Sequence, residues 1–347
     1  MPKTVFVVDD NDTNLIAARE VLKEQYRVIT LSSAAEMFEL LEDVVPDMIL
    51  LDIEMPRMNG FEALQKLKES PVYAQIPVIF LTGITDASVE VRGFELGVVD
   101  FITKPFSAPV LQNRVKTHLH IDEIIRERTG QILRLKNAIV FSFADIVEKR
   151  DHETGGHIER TSDYIEVLVN AMVKKGIYDE ELRNIDLESF ISSARLHDVG
   201  KIAIPDSILN KPGRLSPEEF EIMKTHAAVG EAIIDQMASR AADDEFLRNA
   251  RLFAGYHHER WDGAGYPYGL KEMQIPLQGR IMAVVDVYDA LVSARPYKLP
   301  ISEEEAVKII MDNDGKQFDP SIANVFFDVK DQFHIVRKQM TNDLPRG

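Results

Sequence analysis

Four short apolar runs, each leading into a polar residue, constrain the first third of this 347-residue chain more tightly than any other feature. Val5-Phe6-Val7-Val8 runs into Asp9-Asp10, Met48-Ile49-Leu50-Leu51 into Asp52, Val78-Ile79-Phe80-Leu81 into Thr82, and Phe101-Ile102 leads to Lys104. Arg27 to Leu31 reads as a weaker second strand, and helical periodicity fills the gaps at Leu15 to Leu22, Ala35 to Leu41 and Phe61 to Leu67. Continuous apolar strands alternating with amphipathic helices predict a parallel α/β sheet covered on both faces. In such a sheet functional groups lie beyond the carboxyl ends of the strands. Asp9, Asp10, Asp52, Thr82 and Lys104 are therefore expected to meet in one crevice.

Three close carboxylates repel one another unless a cation neutralises them. Oxygen-only ligands suit Mg²⁺, which binds through few carboxylates and keeps several waters. A carboxylate beside that ion can attack a phosphoryl donor to form an acyl phosphate, with Lys104 and Thr82 placed to hold the new phosphoryl oxygens. Lys104-Pro105 invites a cis peptide that would aim the lysine inward. Helix capping explains any single strand-end aspartate but not five positions in register. On these residues, 1 to ~123 resembles a receiver domain of two-component signalling, a doubly wound, flavodoxin-like fold with strand order 2-1-3-4-5. The resemblance implies Asp52 as phospho-acceptor, Asp9, Asp10 and Asp52 as Mg²⁺ ligands, Thr82 and Lys104 as switch residues, and Phe101 as the rotating switch aromatic. Met55-Pro56 and Asn59-Gly60 fit the family's loop, whereas Gly83 stands where receivers more often carry alanine.

From about Val110 the pattern changes. Leu111, Val115 and Leu119 begin an apolar stripe that Ile121, Ile125, Ile132, Leu135 and Ile139 continue, with Gly130 interrupting it. Residues 124–145 are thus a helical linker, open either to pairing with a second copy or to serving as a plain connection. Beyond ~140 strand alternation is gone, and stretches such as Ser189 to Leu196, Pro217 to Met237, Ile281 to Leu291 and Glu303 to Met311 predict an all-α domain over 140–340.

Histidines and carboxylates collect in this second region. Cysteine is absent, so any metal must be held by histidine nitrogen and carboxylate oxygen. Glu153 and His157 are four apart and would share a helix face, despite Gly155 and Gly156 between them. His197-Asp198 closes a helix at Gly200, His226 lies in helical context, and the adjacent His257-His258 would diverge toward two metals. Asp286 lies inside the apolar helix Ile281 to Val287, where a buried carboxylate needs a partner. An arginine would serve, but beside five histidines a metal is the better reading. Two ions a few ångströms apart can activate water and stabilise in-line displacement at phosphorus. After His258 the loop Glu259 to Pro267 brings glycines that let backbone approach a ligand, with Trp261 and Tyr266 available to pack on a base. Arg295 and Lys298 are candidate phosphate contacts.

With His197-Asp198 and Gly265-Tyr266-Pro267, residues ~140 to ~335 resemble an HD-GYP domain, a branch of the HD superfamily of metal-dependent phosphohydrolases. The resemblance implies two or three divalent metals on Glu153, His157, His197, Asp198, His226, His257, His258 and Asp286, with iron or manganese expected, although this ligand set also admits zinc, cobalt and nickel. It places Lys201 at the scissile phosphate, Tyr266 in the substrate loop, and Arg295 and Lys298 on the second phosphate. Ala203 stands where glycine is usual. The implied reaction is hydrolysis of cyclic di-GMP to pGpG, with onward cleavage to GMP open, under a sensor histidine kinase. The rivals are an enzyme for another cyclic dinucleotide such as cyclic GMP-AMP, and a non-catalytic module recruiting diguanylate cyclase proteins through the Gly265-Tyr266-Pro267 loop. A net charge of −17 disfavours nucleic-acid binding, no apolar run approaches a membrane span, and Met1 to Val5 lacks a signal-peptide layout. A cytoplasmic homodimer is expected.

Overall fold

The computed structural model describes residues 2–83, 87–151, 156–183, 185–240, 244–293 and 299–343. It divides into two compact units, Met1–Leu133 and Arg134–Gly347.

In the first unit β1 (Thr4–Val8), β2 (Arg27–Leu31), β3 (Met48–Asp52), β4 (Val78–Thr82) and β5 (Asp100–Thr103) form one parallel sheet in the order 2-1-3-4-5. Between them run α1 (Asp12–Leu22), α2 (Ala34–Leu41), α3 (Gly60–Glu69) and α4 (Ala87–Glu95). Every residue of β3 and β4 is buried, because helices cover both faces and alternate side chains feed two separate cores. Phe6, Val8, Ile49, Leu51, Phe80 and Phe101 pack on one side. Val5, Val7, Met48, Leu50, Ile79 and Leu81 pack on the other. Local signals start the helices where the chain leaves the sheet. Asn11 caps α1, Ser33 caps α2, and Asn59 with Glu62 closes a capping box on α3.

Helix α5 runs without interruption from Ala108 to Arg150, so Gly130 does not break it. Leu111, Val115 and Leu119 are buried in the first unit's core. Ile125, Ile132, Leu135 and Ile139 are exposed, as is Ile146.

The second unit is helical, as expected: α6 (His157–Lys175), α7 (Asp179–Leu182), α8 (Leu187–Ser193), α9 (Asp206–Leu209), α10 (Pro217–Ala238), α11 (Glu245–Tyr256), α12 (Leu277–Val292), α13 (Glu303–Asp312) and α14 (Pro320–Asp343). Its main core is built from α6, α12 and α14, where Tyr164 stacks on Phe333 with ring centres 4.6 Å apart. Helix α10 starts at a Ser216/Glu219 capping box with Pro217 in the first turn and packs along α11. Among the described residues no helix is long and apolar enough to cross a membrane.

Two local expectations fail. α6 begins at His157, preceded by Gly156 at φ 95°, so His157 opens a helix instead of sitting within one. Glycine adopts that left-handed conformation without the Cβ penalty, which is what resets the chain direction here. Glu153 lies outside the described residues. His197 and Asp198 do not close an α-helix either. They sit between two short 3₁₀ turns, Ala194–Leu196 and Val199–Ala203.

Candidate metal centre and phospho-acceptor pocket

Asp9, Asp10 and Asp52 bring carboxylate oxygens within 4.8 Å of one another at the carboxyl ends of β1 and β3. Lys104 follows β5 and stands between two of them, its Nζ 3.0 Å from Asp9 Oδ2 and 2.6 Å from Asp52 Oδ1. The Lys104-Pro105 peptide is cis. Burial pushes the Asp52 carboxyl above its ordinary value, against the hydrogen bond from Lys104. Thr82 is buried at the end of β4. The Phe101 ring is turned inward, 5.7 Å from Phe80 and 5.1 Å from Phe94. It fills the space a side chain would take at Gly93 on α4.

The second unit gathers two histidine groups. His226, His257 and His258 form one, and His157, His197 and Asp198 the other, each with donor atoms within 4.8 Å. His257 and His258 do not diverge. His257 continues the α-conformation at the end of α11, so the next side chain turns by about 100° and not to the opposite side. Their ring centres are 4.0 Å apart.

Hydrogen bonds decide which nitrogen each histidine offers. His226 Nδ1 lies 2.8 Å from Met223 O, His197 Nδ1 3.0 Å from Ala194 O, and His257 Nδ1 3.0 Å from Phe253 O. A carbonyl only accepts, so each Nδ1 carries a proton, and in the neutral ring each Nε2 keeps a lone pair. His157 Nδ1 is 2.8 Å from Asp289 Oδ2. Burial raises that carboxyl, but His157 and Arg160 outweigh burial and hold it well below the ordinary range. Asp289 therefore accepts, and in the neutral ring His157 Nε2 keeps its lone pair too.

Those nitrogens face each other. His226 Nε2 stands 3.2 Å from His257 Nε2, and His157 Nε2 stands 3.4 Å from His197 Nε2. Two lone pairs at such range repel unless a cation lies against both. The spacing suits two nitrogens each about 2.1 Å from one ion. Asp198 links the groups: Oδ1 is 3.4 Å from His226 Nε2 and 3.7 Å from His257 Nε2, and Oδ2 is 3.4 Å from His197 Nε2. Burial raises the Asp198 carboxyl, yet Lys201 and His197 hold it well below its usual value. Burial pushes His226 down to about 4 and, with His257 and His226 adjacent, His258 well below its ordinary value. Neutral rings and an ionised carboxylate are the states that bind metal.

Asp286 reaches the cluster, its Oδ1 3.8 Å from His157 Nε2, but it is only partly buried. The deeply buried carboxylate of α12 is Asp289, one helical turn on, which also accepts from Arg160 at 2.6 and 2.9 Å. The sequence offered one signal for it, the three-residue spacing from Asp286 on the same apolar helix. Lys201 Nζ lies 2.8 Å from Asp198 Oδ2 and 2.6 Å from Asp151 Oδ2. Asp151 carried no sequence signal. A cleft lined by Glu148, Asp151, His157, His197, Asp198 and Lys201 adjoins the cluster.

The Tyr266 ring packs on His258 with centres 4.7 Å apart. Its hydroxyl is pushed above its ordinary value by burial and by Asp198 and Asp286. The loop is held from beneath by the buried Glu259, which accepts from the backbone N–H groups of Tyr268 (2.7 Å), Gly269 (3.1 Å) and Leu270 (3.0 Å). Trp261 joins the same loop to Gln317 O through its backbone N–H at 3.2 Å. Arg295 and Lys298 lie outside the described residues.

A response regulator receiver domain model matches residues 5–116, and an HD domain model matches residues 142–322. The chain is 38% identical over 355 residues to a Vibrio cholerae protein named "Probable cyclic di-GMP phosphodiesterase", covering 98% of this chain and 80% of that one. It is 33% identical over 331 residues to the cyclic di-GMP phosphodiesterase response regulator RpfG of Xanthomonas campestris, covering 91% and 85%. A "3'3'-cGAMP-specific phosphodiesterase 2" of Vibrio cholerae is 37% identical over 202 residues, which cover 58% of this chain and 36% of that protein.

Proposed function

The chain belongs to the response regulators that join a receiver domain to an HD domain, and from that premise we infer that it is a phosphorylation-controlled, metal-dependent phosphodiesterase of cyclic di-GMP. The reading rests on the facing Nε2 donors either side of Asp198. It is supported by similarity to cyclic di-GMP phosphodiesterases over nearly the whole chain.

His157, His197, Asp198, His226, His257, His258 and Asp286 would hold the metals, and Glu153 would complete a third position. Iron or manganese is the assignment the family resemblance supports. When bound, such ions withdraw charge from a phosphoryl oxygen and lower the pKa of a water. Lys201, its ammonium 2.8 Å from Asp198 Oδ2, offsets charge growing on the phosphoryl oxygens in the transition state. Asp289 keeps the His157 Nε2 lone pair directed at the cluster. Tyr266 borders the substrate, and Arg295 and Lys298 take the second phosphate. Water attack on one phosphodiester opens the ring to pGpG, and attack on the remaining one gives GMP.

In the receiver, Asp52 is the phospho-acceptor for a histidine kinase, and Asp9, Asp10 and Asp52 hold Mg²⁺. Lys104 and Thr82 bind the phosphoryl oxygens, and Phe101 reports the change to α4 and β5. The exposed isoleucines at 125, 132, 139 and 146 recur every seventh residue along α5, the spacing of a coiled-coil seam with β-branched residues at one core position. Homodimerisation along that seam in the cytoplasm is part of this reading.

The test is hydrolysis of cyclic di-GMP by protein purified without air, with metal content determined on the same sample. Turnover with two or three bound metals, both lost in His197→Ala/Asp198→Ala, is the expected result. Full metal occupancy with no turnover favours cyclic GMP-AMP, the second reading, which the similarity to the 3'3'-cGAMP-specific enzyme supports. An empty, inactive centre after metal reconstitution favours a module that recruits diguanylate cyclase proteins.

A further inference from the structure

Helix α5 ends at Arg150, and the contacts of that residue are unlike those of an ordinary helix terminus. Its guanidinium donates from Nη1 to Lys201 O (3.1 Å) and Ile202 O (2.7 Å), and from Nη2 to Ile204 O (2.7 Å). Nε donates to Asp206 Oδ1 at 3.0 Å. In return the Arg150 carbonyl accepts from Asn210 Nδ2 at 3.1 Å. The three carbonyls belong to the end and exit of the 3₁₀ turn Val199–Ala203, where Lys201 O also accepts the Ile204 N–H at 3.0 Å. A planar five-donor fork serves them from separate nitrogens in a fixed geometry, whereas a lysine would have to reach them all from one atom.

The neighbouring residue completes the grip. Asp151 Oδ2 takes the Lys201 ammonium at 2.6 Å. Residue 150 thus holds the backbone of Lys201 and residue 151 holds its side chain, while the same ammonium stands 2.8 Å from Asp198 Oδ2. The other end of this single helix begins at Ala108, and Leu111, Val115 and Leu119 are buried in the receiver core. One helix thus runs in sequence from the receiver core to Arg150, and small helix shifts are an ordinary means of switching.

We propose that Arg150 is the positioning residue for Lys201 and the point at which α5 passes the state of the receiver to the catalytic cluster. The inference rests on the reading that Lys201 acts on the scissile phosphate. A displacement of about 1 Å at such a group is enough to cost on the order of 100-fold in rate. Shifts of about 1–2 Å are the ordinary range for switching helices. Arg150 therefore converts a small movement of α5 into a large change in turnover, without touching substrate or metal ligand.

The test uses full-length wild type, Arg150→Met, Arg150→Lys and Lys201→Met, with and without beryllofluoride as phosphoryl mimic. Three properties are read: kcat and KM for cyclic di-GMP, bound metal, and hydrogen exchange of the amides at 199–206. Arg150→Met is expected to keep its metal and its KM while kcat falls about 10–100-fold. Exchange at 199–206 should rise, and neither kcat nor exchange should respond further to beryllofluoride. Arg150→Lys, which retains the charge but not the fork, should recover part of kcat and of the response. Wild-type kcat and exchange in Arg150→Met would overturn the proposal. So would loss of metal from both Arg150 variants, which would reduce the residue to a structural support. An unresponsive wild type would overturn the coupling half alone. Full activity in Lys201→Met would instead overturn the assignment of Lys201, whereas a dead Lys201→Met beside a normal Arg150→Met removes only the present inference.

Discussion

Replacing Asp289 by asparagine preserves shape and volume in α12 but changes what its two terminal atoms can accept. In the native chain Oδ2 takes His157 Nδ1 at 2.8 Å and Arg160 Nη2 at 2.9 Å, and Oδ1 takes Arg160 Nε at 2.6 Å. Ser293 Oγ adds a fourth donor at 3.3 Å from Oδ1, and of the four only that hydroxyl can instead accept from an amide nitrogen without a change of tautomer. If the new NH₂ faces His157, it confronts the Arg160 Nη2 donor, and the imidazole must become the acceptor. Its proton moves to Nε2, the atom 3.4 Å from His197 Nε2, and blocks ligation. If the NH₂ faces Arg160 Nε, two buried donors oppose each other. Either arrangement leaves a buried donor unmet, at about 1–3 kcal/mol, and losses of about 10–100-fold in metal affinity are usual when such a partner of a ligating histidine is removed. The assay is Mn²⁺ titration of metal-free wild type and Asp289→Asn by calorimetry, with circular dichroism to verify folding. The affinity of the His157/His197/Asp198 group should fall by that factor while the His226/His257/His258 group keeps its own. A folded variant with native affinity at both groups would refute the tautomer argument, as would an Nε2-protonated His157 in metal-free wild type by nitrogen NMR.

Asp52→Ala should abolish the response of activity to a small-molecule phosphodonor and leave metal content unchanged; a preserved response removes Asp52 from the control. Gly200→Ala would drive a Cβ into the His226 carbonyl and the Gly230 backbone, so a loss of about 1–3 kcal/mol from overpacking is expected in denaturant melts, and native stability there would contradict the packing described. Metal-free protein should lose stability on acidification: an unfolded chain protonates His226 near 6.5, while the folded ring waits until about 4. The unfolded state then binds more protons across that window, and stability falls as pH drops through it. A Tm flat over the same range would show that the ring is not buried neutral.

Local pattern alone carried much of the fold. The runs at β1, β3 and β4 are apolar throughout because both faces of the sheet are covered, and periodicity registers that directly. Their polar ends announced the receiver crevice, since strand direction in a parallel sheet puts every such end on one side. The histidines of the second unit were legible as a set, because neutral nitrogen donors beside carboxylates have few other uses in such number. The resemblance to known families then assigned them roles.

What the sequence could not state is which atoms meet. Periodicity places Asp286 and Asp289 on neighbouring positions of one helix face, and it singled out Asp286 as the buried one. Only the packing of α6 against α12 brings His157 and Arg160, 132 and 129 residues away, onto Asp289 instead. Likewise Arg150 reads locally as the basic end of a helix, a favourable and ordinary place for it. Its grip on carbonyls 51 to 54 residues further on exists only once the chain has folded back. Hydrophobic pattern is a property of neighbours in sequence, so the sequence determined the elements and their buried faces. Hydrogen-bond partnership is a property of neighbours in space, so the tautomers, the bridging of Asp198 and the hold on Lys201 were decided by the tertiary structure.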